Sequence, residues 1–279
     1  MSTETGTERG TGRRPSCSLD DTGLVEPRLG VLGCEVDEHY RYCSARSDAW
    51  PSTRPGQEEI GGLAVLVDHI LGEVGNHPQP EGFLPLTVEL SLDVLVPPPW
   101  HGEVLTARAR KDHDDFRATH SCAEITDEAG RLVATASAWT TYAPSHGRPA
   151  LPVWTPAVEP LPLSGRPLVD MLGVTATAVG TSVELTGLRT ADWTNAHGSL
   201  HGGVWAMLAE IAAADLFGSG ERPLQPSHLH LAFLRPGRTD TVRMRAEQVH
   251  RGRSLGVAQV EGRDLDERVC VRGTVTARP

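Results

Sequence analysis

The stretch that decides the fold of this chain is NAHGSLHGGVWAMLAEIAAADLFG, residues 195–218. Its second half is apolar on nearly every face of a helix, so we expect a helix that is buried all round and wrapped by a sheet. Glu210 lies within that apolar run, where a carboxylate is costly unless it is paired or used. The helix begins with His201-Gly202-Gly203, which leaves its first backbone N–H groups unshielded by side chains. These features predict a buried helix with a functional N-terminus.

Composition limits the class of protein. A chain of 279 residues with 39% hydrophobic content can form one large or two ordinary globular domains. The net charge of −10 argues against a partner made of nucleic acid. No segment approaches the roughly 20 apolar residues of a membrane span, and the first 16 residues lack the apolar core of a secretion signal. The five cysteines form no CxxC pair, so we expect reduced thiols in a cytoplasmic protein.

The chain has two halves with the same order of segments. Each half contains a Gly-Gly followed by an apolar helical run, and each run is followed by several segments with the period-2 alternation of half-buried strands. A proline-dense stretch between the halves indicates a linker, and the polar start of the chain indicates a disordered tail. The predicted boundaries are a tail at 1–18, an α+β unit at 19–142, a linker at 143–167 and a second α+β unit at 168–279.

The motif in the second half resembles a known family. Asn-x-x-Gly-x-x-His-Gly-Gly, followed by an apolar helix that carries an Asp or Glu, is similar to the hotdog-fold thioesterases of the phenylacetate-pathway type. The residues concerned are Asn195, Gly198, His201, Gly202, Gly203 and Glu210. The first half matches only in outline. It keeps Gly61, Gly62 and an acid, Asp68, but has Ile60 where the histidine would stand.

The resemblance implies a double hotdog, an α+β fold. Two long central helices are each wrapped by an antiparallel sheet and pack together as an intrachain pseudo-dimer. It also implies an acyl-CoA thioesterase, a hydrolase that releases free acid and CoA and needs neither a metal nor another cofactor. Gly202 would donate the main hydrogen bond to the oxyanion, with Gly203 beside the substrate. His201 and Asn195 would position the thioester or the attacking water.

Helix length decides which carboxylate can reach Gly202. Glu210 lies eight residues further along the same helix, about 12 Å away at ~1.5 Å per residue. An antiparallel partner helix would bring Asp68 to Gly202 and Glu210 to the glycines of the first half. We therefore assign Asp68 to the site that also contains Asn195, His201 and Gly202. Glu210 belongs to a second site, which is either degenerate or has different chemistry. Two alternatives stay open at this point. An ungapped overlay of the halves places His69 opposite Glu210, and Asp68 can instead be a structural acid paired with an arginine.

Further candidates are assigned to substrate binding. They are Gly61 and Gly62 at the first helix start, Ser227 on a strand near the substrate, and Arg235, which with Arg238 could meet CoA phosphates or simply decorate a turn. His228 and His230 share one strand face, but no third ligand is evident, so no metal site is predicted. His201 has its own structural alternative, as a helix-start residue bonded to backbone.

Two other functions remain open beside hydrolysis. A non-catalytic acyl-CoA-binding or regulatory protein would keep the fold without turnover. An acyl-thioester hydratase or dehydratase would use an acid–histidine pair near the acyl α-carbon. We expect acyl-CoA as the ligand, no membrane association, and a fused unit that can assemble further into homo-oligomers.

Overall fold

The computed structural model describes residues 13–17, 25–47, 50, 60–75, 82–115, 117–144, 167–195, 197–219 and 221–279. Its helices are α1 (Val25–Arg28), α2 (Gly61–Gly75), α3 (Leu168–Leu172) and α4 (Gly202–Phe217), with a 3₁₀ turn at Thr190–Trp193. The strands of the first half are β1 (Arg14–Cys17), β2 (Val31–Val36), β3 (Arg41–Arg46), β4 (Phe83–Val94), β5 (Val104–Asp114), β6 (Ala118–Thr126) and β7 (Leu132–Pro144). Those of the second half are β8 (Thr175–Val179), β9 (Ser182–Thr186), β10 (Gln225–Phe233), β11 (Val242–Arg251), β12 (Gly256–Asp264) and β13 (Val269–Arg278).

All of these strands form one antiparallel sheet, in the order β1-β2-β3-β5-β6-β7-β4-β10-β13-β12-β11-β9-β8. The two halves join where β4 pairs with β10. At this junction Leu90 lies opposite Leu231 and Leu92 opposite Leu229, and these side chains are buried on the inner face. Because side chains alternate along a strand, the intervening residues face the other side of the sheet.

Each long helix packs against the strands of its own half. Helix α2 contacts β3 to β7, and α4 contacts β8 to β13, while α2 and α4 also pack against each other. The two helices run antiparallel, since Gly61 lies beside Glu210 and Gly203 lies beside Val65. Helix α4 is therefore enclosed by sheet on one side and by α2 on the other, which is the environment that its apolar surface predicts.

The predicted segments agree with the structure with few differences. Both apolar runs are helical, and the alternating segments that follow each run are strands. The tail prediction is wrong for Arg14–Cys17, which forms β1 on the edge of the sheet against β2. That strand depends on backbone pairing with a free sheet edge, which composition does not reveal. Residues 143 and 144 belong to β7, and the rest of the predicted linker up to 166 lies outside the described residues. Within the described residues, no helix has the length and hydropathy to cross a membrane.

Candidate active site

The start of α4 is fixed by a short loop and by His201. Asn195 Oδ1 accepts hydrogen bonds from the backbone N–H groups of His197 and Ser199, at 2.9 and 3.2 Å. The His201 N–H donates to the carbonyl of Trp193, at 3.0 Å. His201 is the N-cap of α4, and its Nδ1 accepts from the Gly203 N–H at 3.0 Å. Its structural alternative, a helix-start residue bonded to backbone, is thus realised, and the same side chain also reaches into the site.

Asp68 of α2 meets this helix N-terminus, as the antiparallel arrangement predicts. Its Oδ2 accepts the Gly203 N–H at 2.8 Å and lies 3.1 Å from His201 Nδ1. The Asp68 side chain is one-tenth exposed and the His201 side chain is nearly buried. A carboxylate at a helix N-terminus is stabilised by the N–H groups and by the helix dipole. The first half therefore supplies the acid, and the second half supplies the histidine and the N–H groups.

The absence of a side chain at Gly202 and at Gly203 makes room for different neighbours. A Cβ on Gly202 would lie 2.7 Å from Asp68 Oδ2, so the absence of a side chain lets the carboxylate lie against the helix start. A Cβ on Gly203 would lie 2.6 Å from Val65 Cα and 2.9 Å from the Ala64 carbonyl oxygen. Gly203 therefore permits a backbone-to-backbone crossing of α4 over α2. The sequence pattern alone did not distinguish these two reasons for glycine.

A buried glutamate of α1 continues the network beyond His201. Glu26 Oε1 lies 3.3 Å from His201 Nε2 and 3.2 Å from His69 Nδ1. His69 in turn places its Nε2 3.3 Å from the thiol of Cys34. Asp68, His201, Glu26, His69 and Cys34 thus form one continuous chain of polar contacts inside an apolar core. A network of this kind is stable only when its members satisfy one another.

Burial and pairing act in opposite directions on the pKa values of this network. Burial alone would lower the pKa of His201, but the charge and hydrogen bond of Glu26, followed by the charge of Asp68, outweigh it and raise that pKa above 6.5. Burial alone would raise the pKa of Glu26, but the charge and hydrogen bond of His201, followed by those of His69, outweigh it and hold that pKa well below 4.5. Both directions favour an imidazolium paired with a carboxylate. In that form Nδ1 of His201 carries a hydrogen and donates to Asp68 Oδ2, so the Gly203 N–H is accepted by Asp68 Oδ2 alone.

A cavity of about 620 Å³ opens onto Asp68, His201 and Gly202. Among the described residues, the Gly202 N–H has no hydrogen-bond acceptor and Asp68 Oδ1 has no hydrogen-bond partner. One backbone donor and one carboxylate oxygen are thus available at the cavity wall. The wall also includes apolar side chains and two arginines. These residues are Leu84, Leu86, Val88, Trp205, Phe233, Leu234, Arg235 and Arg238.

The second helix start is built differently. Glu210 is fully buried, and its Oε2 would lie 3.2 Å from a Cβ on Gly61, as the antiparallel arrangement predicts. The space above Gly62 is filled by the indole of Trp50, 2.4 Å from where a Cβ would stand. Trp50 is buried and donates its Nε1–H to the Leu29 carbonyl at 2.8 Å. The structure therefore does not bring Gly61, Gly62 or Glu210 to the 620 Å³ cavity.

The remaining predicted residues divide between the cavity and the sheet. Arg235 lines the cavity, and its Nη1 donates to the Val269 carbonyl at 3.0 Å. Ser227 does not line it, because on β10 its hydroxyl faces the Thr276 carbonyl of β13 at 3.5 Å. His228 lies 2.8 Å from Asp93 Oδ1, an acid of the neighbouring strand β4 that the sequence pattern did not indicate.

Sequence reasoning missed Glu26 and undervalued His69. Glu26 lies in the segment LVEPRLG, where an acid before a proline has the appearance of a solvated helix start. Only the packing of α1 against α2 brings it to His201, 175 residues away along the chain. The available signal for His69 was its place next to Asp68 in an otherwise apolar helix.

Comparisons with known proteins agree on the fold. The family model described as the acyl-CoA thioesterase N-terminal domain matches residues 189–278. The tesB protein of Mycobacterium avium subspecies paratuberculosis has a TM-score of 0.62 at 10% identity, covering 90% of this chain and 96% of that one. A putative thioesterase from Novosphingobium aromaticivorans has a TM-score of 0.60 at 16% identity, covering 89% and 98%. A protein with a hotdog fold from Alicyclobacillus acidocaldarius has a TM-score of 0.60 at 13% identity, covering 91% and 96%. Among curated protein sequences, none matches this chain. The chain therefore has the hotdog fold, and its second half matches an acyl-CoA thioesterase domain.

Proposed function

We propose that this protein hydrolyses acyl-CoA thioesters to the free acid and CoA, at a single site made by both halves. The observation that carries the proposal is Asp68 of the first half against the α4 N-terminus of the second, at the wall of a 620 Å³ cavity. The match of residues 189–278 to an acyl-CoA thioesterase domain supports the same reaction. A cavity of this volume is within the usual range for small-molecule sites.

In the proposed mechanism Asp68 acts as general base. One carboxylate oxygen, Oδ2, is held by the Gly203 N–H and His201, which leaves Oδ1 to accept a proton from water. The water oxygen attacks the thioester carbonyl, and the carbonyl oxygen becomes an oxyanion that accepts the Gly202 N–H. When the C–S bond breaks, the proton held by Asp68 goes to the thiolate, which leaves as CoA. Asn195, which lines the cavity, would orient the thioester or the water.

The proposed architecture is a double hotdog, with units at 19–142 and 168–279 packed as an intrachain pseudo-dimer of the His-Gly-Gly, phenylacetate-pathway type. The antiparallel packing of α2 on α4 and the continuous sheet through β4 and β10 support it. We further propose that the second helix start is degenerate, because Trp50 fills the space at Gly62 where substrate would have to enter. Glu210 then has no catalytic role. A cytoplasmic location and homo-oligomers of the fused unit belong to the same proposal.

One observation favours a second reaction, hydration of an unsaturated acyl thioester. Asp68 and His201 form an acid–histidine pair at 3.1 Å, and proton addition and removal at the acyl α-carbon use such a pair. Hydrolysis differs because it breaks the C–S bond and releases a thiol. A saturated acyl-CoA can report only hydrolysis, whereas an enoyl-CoA reports both reactions through separate products.

The test is an assay of free-thiol release from a panel of aromatic, short, medium and long acyl-CoAs, with enoyl-CoA products analysed separately by mass spectrometry. Asp68→Asn keeps the size of the side chain but removes the base, and a lost general base costs about 10²–10⁴-fold in rate. We expect that loss in kcat on the best substrate. The matched control is Asp266→Asn, the same change at an exposed turn residue that does not line the cavity, which should leave the rate unchanged.

Three results would contradict the proposal. Binding of acyl-CoA without thiol release would identify a binding protein. Hydration without hydrolysis would identify a hydratase. Full activity of Asp68→Asn, with activity abolished by Glu210→Gln in a variant that melts normally, would move the working acid to the other helix start.

A further inference from the structure

A second cluster of polar atoms lies on the side of Glu26 away from His201. Cys34 on β2 and Cys43 on β3 are direct partners across the two strands, and both side chains are buried. His69 on α2 packs against them, with its Nε2 3.3 Å from Cys34 Sγ. The two sulfur atoms and a ring nitrogen of His69 all lie within 4.8 Å of one another. Three donors from three different elements therefore converge at one point in the core.

The spacing of these donors is close to that of a metal site. Zinc binds sulfur at about 2.3 Å and imidazole nitrogen at about 2.0–2.1 Å in a tetrahedral arrangement, so its ligand atoms stand roughly 3.5–3.8 Å apart. The atoms of this cluster need to move by less than about 1 Å to reach those separations. Two thiolates and an imidazole are also the donor types that thiophilic cations prefer.

The orientation of His69 gives independent support. Glu26 Oε1 lies 3.2 Å from His69 Nδ1 and 3.3 Å from His201 Nε2, so one carboxylate oxygen accepts from both rings. Nδ1 of His69 then carries the hydrogen, and Nε2 presents its lone pair to the thiols. Histidines that bind metals characteristically donate their other N–H to a carboxylate, which fixes the ring and its tautomer. Here that carboxylate is already in place.

We propose that Cys34, Cys43 and His69 bind one thiophilic cation, with Zn²⁺ the expected ion and Cu⁺ the alternative of the same chemistry. Binding Zn²⁺ replaces the two thiol protons, which leave to solvent, and the two thiolates balance the charge of the ion in the apolar core. Glu26 accepts hydrogen bonds from both His69 and His201. An ion bound to His69 would therefore restrict the movement of Glu26 and, through it, of His201 in the candidate active site. The proposal does not depend on the reaction catalysed there.

The chain offers its own comparison cluster. Asp112, His120 and Cys122 also gather three donor atoms within 4.8 Å, but on a partly exposed stretch of β5 and β6. The Asp112 carboxylate is already held by Arg110, at 2.9 Å. A cation at this second cluster would have to compete with the arginine. Cys122→Ser is therefore the matched control for the buried thiols.

The experiment measures metal binding directly in the full-length protein. Protein reduced with a phosphine and stripped of metal is titrated with Co²⁺ to record thiolate charge-transfer bands, and with Zn²⁺ against a chromophoric chelator. Cu⁺ is titrated separately in a competing-ligand buffer. We expect one equivalent bound with thiolate bands in the wild type and in Cys122→Ser. Cys34→Ser and Cys43→Ser should each lose those bands or show fewer thiolates, and Glu26→Gln should weaken binding by about 10–100-fold.

The Co²⁺ spectrum of the wild type makes the test independent of whether any variant folds. Absence of thiolate bands with Co²⁺, together with no Cu⁺ bound in the separate titration, in folded and reduced wild-type protein would overturn the proposal. Loss of binding in Cys122→Ser, with binding retained in Cys34→Ser, would overturn it as well, because the exposed cluster would then hold the ion. Thermal melts of each variant show that the compared proteins are folded.

Discussion

Replacing Gly202 by alanine tests whether the contact between Asp68 and the α4 N-terminus performs the chemistry. The new Cβ would lie 2.7 and 3.0 Å from the two carboxylate oxygens, whereas ordinary contacts begin at 3.4 Å. The obstacle is the end of a flexible side chain, so the carboxylate moves by roughly 0.7 Å or more while the backbone stays in place. That displacement breaks its 2.8 Å hydrogen bond with the Gly203 N–H.

Gly202→Ala should have two opposing effects on the free energy of unfolding, but a single unfavourable effect on the rate of hydrolysis. The lost charge-assisted hydrogen bond costs about 1.5–3 kcal/mol, and alanine in a helix returns up to about 1 kcal/mol relative to glycine. The net loss of about 0.5–2 kcal/mol corresponds to a fall in Tm of roughly 1–8 °C. The rate should fall by about 10²–10⁴-fold, because the base no longer stands beside the oxyanion donor.

The assay is free-thiol release on the best acyl-CoA, paired with a thermal melt of the same preparation. Gly72→Ala is the stability control, since a Cβ there meets nothing within 4 Å and the position is inside α2. It should raise the stability by about 0.5–1 kcal/mol through helix propensity alone. Wild-type kcat in Gly202→Ala would refute the reasoning, because the carboxylate could not then be needed where the structure places it.

Three further predictions follow from other contacts. Gly203→Ala should lower Tm by several degrees, since its Cβ would lie 2.6 Å from Val65 Cα and the two helices must move apart. Overpacking of this kind costs about 1–3 kcal/mol of stability. An unchanged melt would show that α4 does not cross α2 so closely. The stabilisation that protonated His201 provides should be fully present below its usual pKa of 6.5 and be lost as the pH rises through its raised pKa. The Tm difference between wild type and His201→Gln should therefore shrink with increasing pH above 6.5. A difference that grows instead would contradict the pairing of His201 with Glu26. Trp50→Ala should lower the free energy of unfolding by about 3–5 kcal/mol, because it removes a buried indole that packs on Gly62. Denaturant unfolding measures this change, and a small loss would show that Trp50 does not fill that space.

Local pattern was sufficient for much of the architecture. The apolar run after His201-Gly202-Gly203 predicted a buried helix, and the alternating segments predicted the strands that follow each helix. Helix length also predicted that Glu210 could not reach Gly202 and that Asp68 could, and in the structure Asp68 lies beside Gly202 while Glu210 lies beside Gly61. These features depend on the hydrophobic periodicity and the residue spacing within one helix or strand, and both can be read directly from the sequence.

Contacts between distant elements were decided only in the folded chain. Glu26 reaches His201 and His69 because α1 packs on α2, and no spacing in the sequence encodes a contact between residues 175 positions apart. The closing of the second helix start by Trp50, the separation of Ser227 from the cavity, and the meeting of Cys34, Cys43 and His69 have the same origin. A side chain's direction depends on its own backbone, but its neighbours depend on how whole helices and strands pack. The sequence therefore determined which elements form and which helix could supply the acid, while tertiary packing determined which side chains surround that acid.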